Sequence, residues 1–126
     1  MVFESINALE KEFKIDKKRI YVVGHSLGGY GAWHFIETAP DLFAAAIPVA
    51  GEGNLLKASA LVNTHIWAFH GANDKNVPVS GSRDMIAAIK KEGGHPKYHE
   101  SPNAGHGWGI IDEEPGLLDW LFEQTK

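Results

Sequence analysis

The sequence predicts a parallel β-sheet covered by helices on both faces, and two observations carry that α/β assignment. Short apolar runs alternate with segments of helical periodicity along the chain, the pattern of successive strand-helix-strand units. The apolar runs are continuous rather than alternating, as in "FAAAIPVAG" from Phe43 to Gly51, so each strand is buried on both faces.

The elements follow in order. In "VFESINALEKEFKI", Phe3, Ile6, Leu9 and Phe13 recur at helical spacing with Glu4, Glu10, Lys11 and Glu12 mostly opposite, an amphipathic helix. "RIYVVG" is a short strand, and "LGGYGAWHFIETAP" a helix stopped by Pro40. Phe43 to Gly51 is a second strand, followed by a loop with a short helix around Leu55 to Leu61. "HIWAFHG" is a third strand, and Ser80 to Glu92 a helix ended by Gly93-Gly94. "KYHES" is a fourth strand, and "EEPGLLDWLFEQ" a last helix with Pro115 near its first turn. Four parallel strands in one domain, residues 1–126, result.

Composition narrows the function. The 126 residues are 44% hydrophobic and 22% charged, which supplies a core and argues against disorder. Twelve Lys and Arg against sixteen Asp and Glu give a net charge of −4 without a basic block, so no nucleic-acid or anionic-membrane footprint is expected. The absence of cysteine excludes disulfides and thiolate metal sites and leaves the compartment undecided. No long apolar run suggests a leader or a membrane span, although an exported precursor stays open.

In a parallel sheet, ligands bind where the carboxyl ends of the strands meet their following loops. Three of these loops carry chemistry. The first strand runs into Gly24-x-Ser26-x-Gly28, where small residues allow a sharp turn that raises the serine hydroxyl above the sheet at a helix N-terminus. "HGANDKNVP" puts Asp74 beyond the third strand, and "PNAGHGWG" puts His106 beyond the fourth. A serine hydroxyl is a poor nucleophile until an imidazole takes its proton, and a carboxylate fixes that imidazole's tautomer and stabilises its charged form.

Other side chains have plainer readings. His95 and His99 are four apart; in a strand that is about 13 Å, too far to share a metal ion. No metal or cofactor is expected, and the Gly24 to Gly29 stretch lacks the lysine of a phosphate loop. His70 reads as a packing or hydrogen-bonding residue beneath the Asp74 loop. His25, His34 and His65 read as surface or satisfied structural residues, with His25 also a candidate substrate contact beside Ser26. Trp33 and Trp67 belong to the core, while Trp108 is a candidate for lining an acyl or alcohol pocket. Glu52 and Asn54 lie in the loop after the second strand, on the catalytic side, and Glu52 is carried as a substrate-binding candidate. Asp112 and Glu113 are alternatives to Asp74 as the acid, but their place after His106 points to a helix N-terminal role.

Gly24 to Trp33, "PDLFAAAIPVAG", "FHGANDKNVPV" and "AGHGWG" together resemble the α/β-hydrolase superfamily, and within it the bacterial phospholipase/carboxylesterase-like group that takes in predicted peptidases and feruloyl-esterase-like enzymes. The resemblance runs from Phe3 to Glu123. It implies Ser26 as nucleophile, Asp74 as acid, His106 as base, and the N–H of Leu27 as one oxyanion donor. That fold begins with further strands that have no counterpart here, so the chain resembles its C-terminal half.

Two expectations follow from that departure. The second oxyanion donor of the fold comes from a loop after an earlier strand; without it a short-chain serine esterase should run about 10² to 10³ slower. The strand Ile20 to Val23 should have one unpaired edge, favouring a homo-oligomer, most simply a two-fold dimer through that strand, the opening helix, or both. The alternative function is a non-catalytic assembly unit that keeps the three residues as a remnant.

Overall fold

The computed structural model describes residues 1–126. Four parallel strands form one sheet in the order β1 (Tyr21–His25), β2 (Ala45–Val49), β3 (His65–Gly71) and β4 (Lys97–Ser101). Between and around them run α1 (Val2–Glu12), α2 (Leu27–Thr38), α3 (Ser80–Lys91) and α4 (Leu117–Glu123), with 3-10 helices at Leu55–Leu61 and Trp108–Glu113. Each strand pairs with its neighbour in sequence, so every loop at a carboxyl end opens on the same rim of the sheet.

The alternation of side chains along β2 and β3 divides the core in two. Ala46, Ile66 and Ala68 face Trp33 and Ile36 of α2 and Met85, Ile86 and Ile89 of α3. Ala45, Ile47, Val49, Trp67 and Phe69 face Ile110, Leu117 and Leu121. Both faces are therefore covered, as the apolar runs predict. Pro48 sits inside the fully buried β2. Having no N–H to give, it coincides with a gap in the β2–β3 register, which skips from Ala46 to Val49.

β1 is an edge strand, paired with β2 on one side only, and Val23 in its middle is 45% exposed. α1 lies over this edge. Only Phe3 and Ile6 of its apolar stripe pack against the core; Leu9 and Phe13 are exposed, and no residue of the helix is buried. The amphipathic helix read from the sequence is present, with the Leu9 end of its apolar stripe left open to solvent.

The far edge is braced differently. Arg83 on α3 grips Glu100 on β4 through two hydrogen bonds of 2.7 and 2.6 Å, and the Tyr98 hydroxyl donates to the same carboxylate at 2.7 Å. Glu113 accepts from Ser101 Oγ at 2.8 Å and from His99 Nε2 at 3.0 Å, and Glu114 faces the other ring nitrogen of His99 at 3.0 Å. Asp112 and Glu113 thus lie in the Trp108–Glu113 3-10 helix, not at the start of α4. The helix N-terminal role is corrected, and Glu113 ties that segment to β4.

Candidate active site

Ser26 stands at the joint between β1 and α2 with φ 60° and ψ −113°, a left-handed conformation costly for any residue with a β-carbon. The surrounding backbone enforces it. Its N–H donates to the Val49 carbonyl at 2.9 Å, and its own carbonyl accepts the Tyr30 N–H at 3.0 Å. A β-carbon on Gly24 would lie 2.1 Å from the Gly28 carbonyl oxygen, and one on Gly29 2.4 Å from that of Val49. Gly28 has open space beside its own α-carbon. Of the glycines around the serine, Gly24 and Gly29 are thus required by the room each lacks, whereas at Gly28 it is the backbone, not the missing side chain, that meets Gly24.

Asp74 lies three residues beyond β3. The loop that carries it is zipped to the His106 loop: Asn73 N–H donates to the Ala104 carbonyl at 2.9 Å, and Ala72 N–H to the Ser101 carbonyl at 2.9 Å. A β-carbon on Gly71 would sit 2.2 Å from the Gly105 carbonyl oxygen, so glycine allows the two loops to cross. The Asp74 side chain is fully buried. Oδ1 accepts the N–H groups of Asn76 at 2.9 Å and Val77 at 2.8 Å, and Oδ2 accepts from His106 Nδ1 at 2.7 Å. Burial alone would raise its pKa, but the hydrogen bonds from Val77, His106 and Asn76 outweigh that and hold the carboxyl below its ordinary value.

His106 completes the line. Its Nε2 is 2.8 Å from Ser26 Oγ, while Nδ1 faces Asp74. Ser26, His106 and Asp74 are joined across 80 and 32 residues of chain. His25 sits beneath this imidazole: its Nε2 donates to the His106 carbonyl at 2.7 Å, and its ring packs at 5.0 Å from that of His106 and edge-on to Trp108 at 5.6 Å. The side chain expected to touch substrate thus has one nitrogen committed to the His106 loop. Trp108 is 41% exposed on the outer side of this stack. Leu27, the first residue of α2, is 85% exposed, and its N–H has no intrahelical acceptor because it lies in the first turn.

Glu52 stands apart. It is exposed over Gly81 at the start of α3, and forms no hydrogen bond with the other site residues. Asn54 caps the Leu55–Leu61 helix by accepting the Leu56 N–H at 3.0 Å, and gives its own N–H to Glu37 at 2.8 Å. None of the surface hollows is lined by Ser26, Asp74 or His106; Ser26 and His106 are partly exposed at the rim, and the Asp74 side chain is closed in. Sequence reasoning passed over the N–H groups of Asn76 and Val77 as partners of Asp74. The Asp-x-Asn-Val spacing, an aspartate able to accept from N–H groups two and three residues on, was the available signal.

The family model of the dienelactone hydrolases matches residues 1–115. The chain belongs to the dienelactone hydrolase family. A thermostable esterase of this α/β-hydrolase fold superposes with a TM-score of 0.88 at 36% identity, over 99% of this chain and 36% of that one. A bifunctional acetylxylan esterase/xylanase of Neocallimastix patriciarum is 33% identical over 122 residues, 89% of this chain and 18% of that protein. An uncharacterized secreted protein of Arthroderma benhamiae is 31% identical over 129 residues, 79% of this chain and 14% of that protein. This dienelactone hydrolase family chain therefore spans well under half the length of each of these three proteins.

Proposed function

We propose that the chain carries the nucleophile, base and acid of a serine carboxylic-ester hydrolase acting on short acyl esters. The observation that carries the reading is the unbroken line Ser26 Oγ to His106 Nε2 to Asp74 Oδ2, at 2.8 and 2.7 Å. In this mechanism His106 Nε2 takes the hydroxyl proton as Ser26 Oγ bonds to the ester carbonyl carbon, and Asp74 stabilises the imidazolium that forms. The tetrahedral oxyanion is stabilised by the Leu27 N–H at the start of α2. Collapse expels the alcohol, which takes the proton back from His106 and leaves an acyl-Ser26 ester. Water then attacks that ester with His106 again as base, releasing the acid and restoring Ser26.

Small acyl groups are favoured, since no hollow lined by Ser26 or His106 is present to bind a long chain. An acetyl ester agrees with the activity named for the acetylxylan esterase relative. A site working with the Leu27 N–H alone is expected to turn over about 10² to 10³ slower than one with two oxyanion donors.

A fluorophosphonate probe tests the reading. Stoichiometric labelling that vanishes in Ser26→Ala supports it. Folded wild-type protein that takes no label favours the second reading, a non-catalytic assembly unit, for which the unpaired edge of β1 and the exposed outer half of α1 are the supporting observations.

A further inference from the structure

His70, one residue before the end of β3, is completely buried although its ring is polar at both nitrogens. Each nitrogen has a partner. Nδ1 lies 2.7 Å from Ser82 Oγ in the first turn of α3, and Nε2 lies 2.9 Å from the Val77 carbonyl oxygen. A carbonyl oxygen only accepts, so Nε2 carries a proton. Nδ1 shares its hydrogen bond with the Ser82 hydroxyl, which also lies 3.5 Å from the Gly51 carbonyl oxygen.

That proton reaches the acid in two ways. Nε2 is 3.4 Å from Asp74 Oδ2, the oxygen that also receives His106 Nδ1. The Val77 whose carbonyl it holds gives its N–H to Asp74 Oδ1 at 2.8 Å. The ring therefore holds the far end of the turn that grips one carboxylate oxygen while standing behind the other. Ser82 connects this arrangement to α3, and the rigid β3 backbone supplies the origin of the side chain.

We infer that His70 is a positioning residue for the acid: by fixing the Val77 backbone through its carbonyl it holds the neighbouring N–H on Asp74 Oδ1, sets the rotation of the carboxylate and so aims Oδ2 at His106. The role rests on the esterase reading above for its catalytic meaning, but its geometry is measurable without turnover. An apolar side chain of similar size would fill the same space and leave the Val77 carbonyl without a donor, freeing the turn to shift. Misplacement of a reacting group by about 1 Å is enough to cost about 10²-fold in rate.

Two amide substitutions in the full chain separate positioning from mere burial. His70→Gln places an N–H near the position of Nε2 and can still donate to Val77; His70→Asn reaches only as far as Nδ1. The first readout is the downfield proton resonance of His106 Nδ1–H bonded to Asp74, and the second is kcat and KM on p-nitrophenyl acetate. The expected result is a resonance kept in His70→Gln with kcat within about 3-fold of wild type. In His70→Asn the resonance is lost and kcat falls about 10- to 100-fold while KM stays within about 2-fold. Two folded variants that behave alike, whether both retain the resonance or both lose it, overturn the inference, because the Val77 contact would then not be the determinant. A wild-type chain without turnover counts against the esterase reading alone, since the resonance comparison still decides the role of His70.

Discussion

Gly24 and Gly28 approach so closely that a β-carbon on the first would stand 2.1 Å from the carbonyl oxygen of the second. The contact is between two backbones, neither of which can swing away as a side chain tip would. Gly24→Ala is therefore expected to destabilise by about 3 kcal/mol, the upper part of the usual overpacking range, and to abolish probe labelling. Gly28→Ala has open space and lies within α2; it should be neutral or stabilise by up to about 1 kcal/mol through helix propensity. Denaturant titration of the two variants checks the asymmetry, and equal losses would contradict it.

The backbone of Ser26 offers a comparison between two variants that lack the hydroxyl. Ser26→Ala and Ser26→Gly both remove the oxygen that meets His106, but only glycine relaxes at φ 60°. Ser26→Gly should be the more stable of the pair by about 1 kcal/mol. Thermal melts side by side give the answer, and an alanine variant of equal or greater stability would mean that the joint adapts without strain.

The Arg83 hydrogen bonds draw the Glu100 carboxyl down to about 2 from an ordinary 4.5, with burial opposing and Tyr98 assisting. A lowered folded-state pKa contributes stability that is complete above the ordinary value and lost as the pH falls through the lowered one. Wild type should therefore melt above Glu100→Gln near neutral pH, and that gap should close between pH 4.5 and about 2. Arg83 is more than half exposed, so the gap is expected to be small and to shrink further in salt. A gap independent of pH across this window would show that the pair contributes through packing alone.

The unpaired edge of β1, with Val23 exposed in its middle and Leu9 and Phe13 exposed near by, leads us to propose self-association as a two-fold dimer. Antiparallel pairing of two β1 edges would satisfy free backbone groups and cover apolar side chains together. An interface of about 1,000 Å² or more is expected. Light scattering at micromolar concentration should return twice the chain mass, and Val23→Lys should return it to monomer. A wild-type monomer would overturn the proposal.

Much of this arrangement is legible in the residues, for physical reasons that differ by element. The strands are readable because β2 and β3 are apolar on both faces and bounded by glycine or proline, so length alone separates them from helices. The loops bearing Ser26, Asp74 and His106 are readable because a parallel sheet sends all its carboxyl ends to one rim. The Trp108–Glu113 helix is less so: its six residues are too few to show a period, and it is held by Glu113 reaching back to Ser101 and His99, contacts that no local pattern encodes. The same holds for His25, whose neighbour in sequence is Ser26 but whose hydrogen bond is to His106.

The sheet order also divides the three residues by how firmly their supports are held. β2 and β3 pair on both sides and are almost wholly buried, whereas β1 pairs on one side only. Backbone amides should exchange with solvent slowest along β3, which leads to Asp74, and fastest along the outer edge of β1, which leads to Ser26. On warming, Ser26 would lose its register while Asp74 and His70 stay in place, so loss of probe labelling at Ser26 should precede the collapse of the sheet.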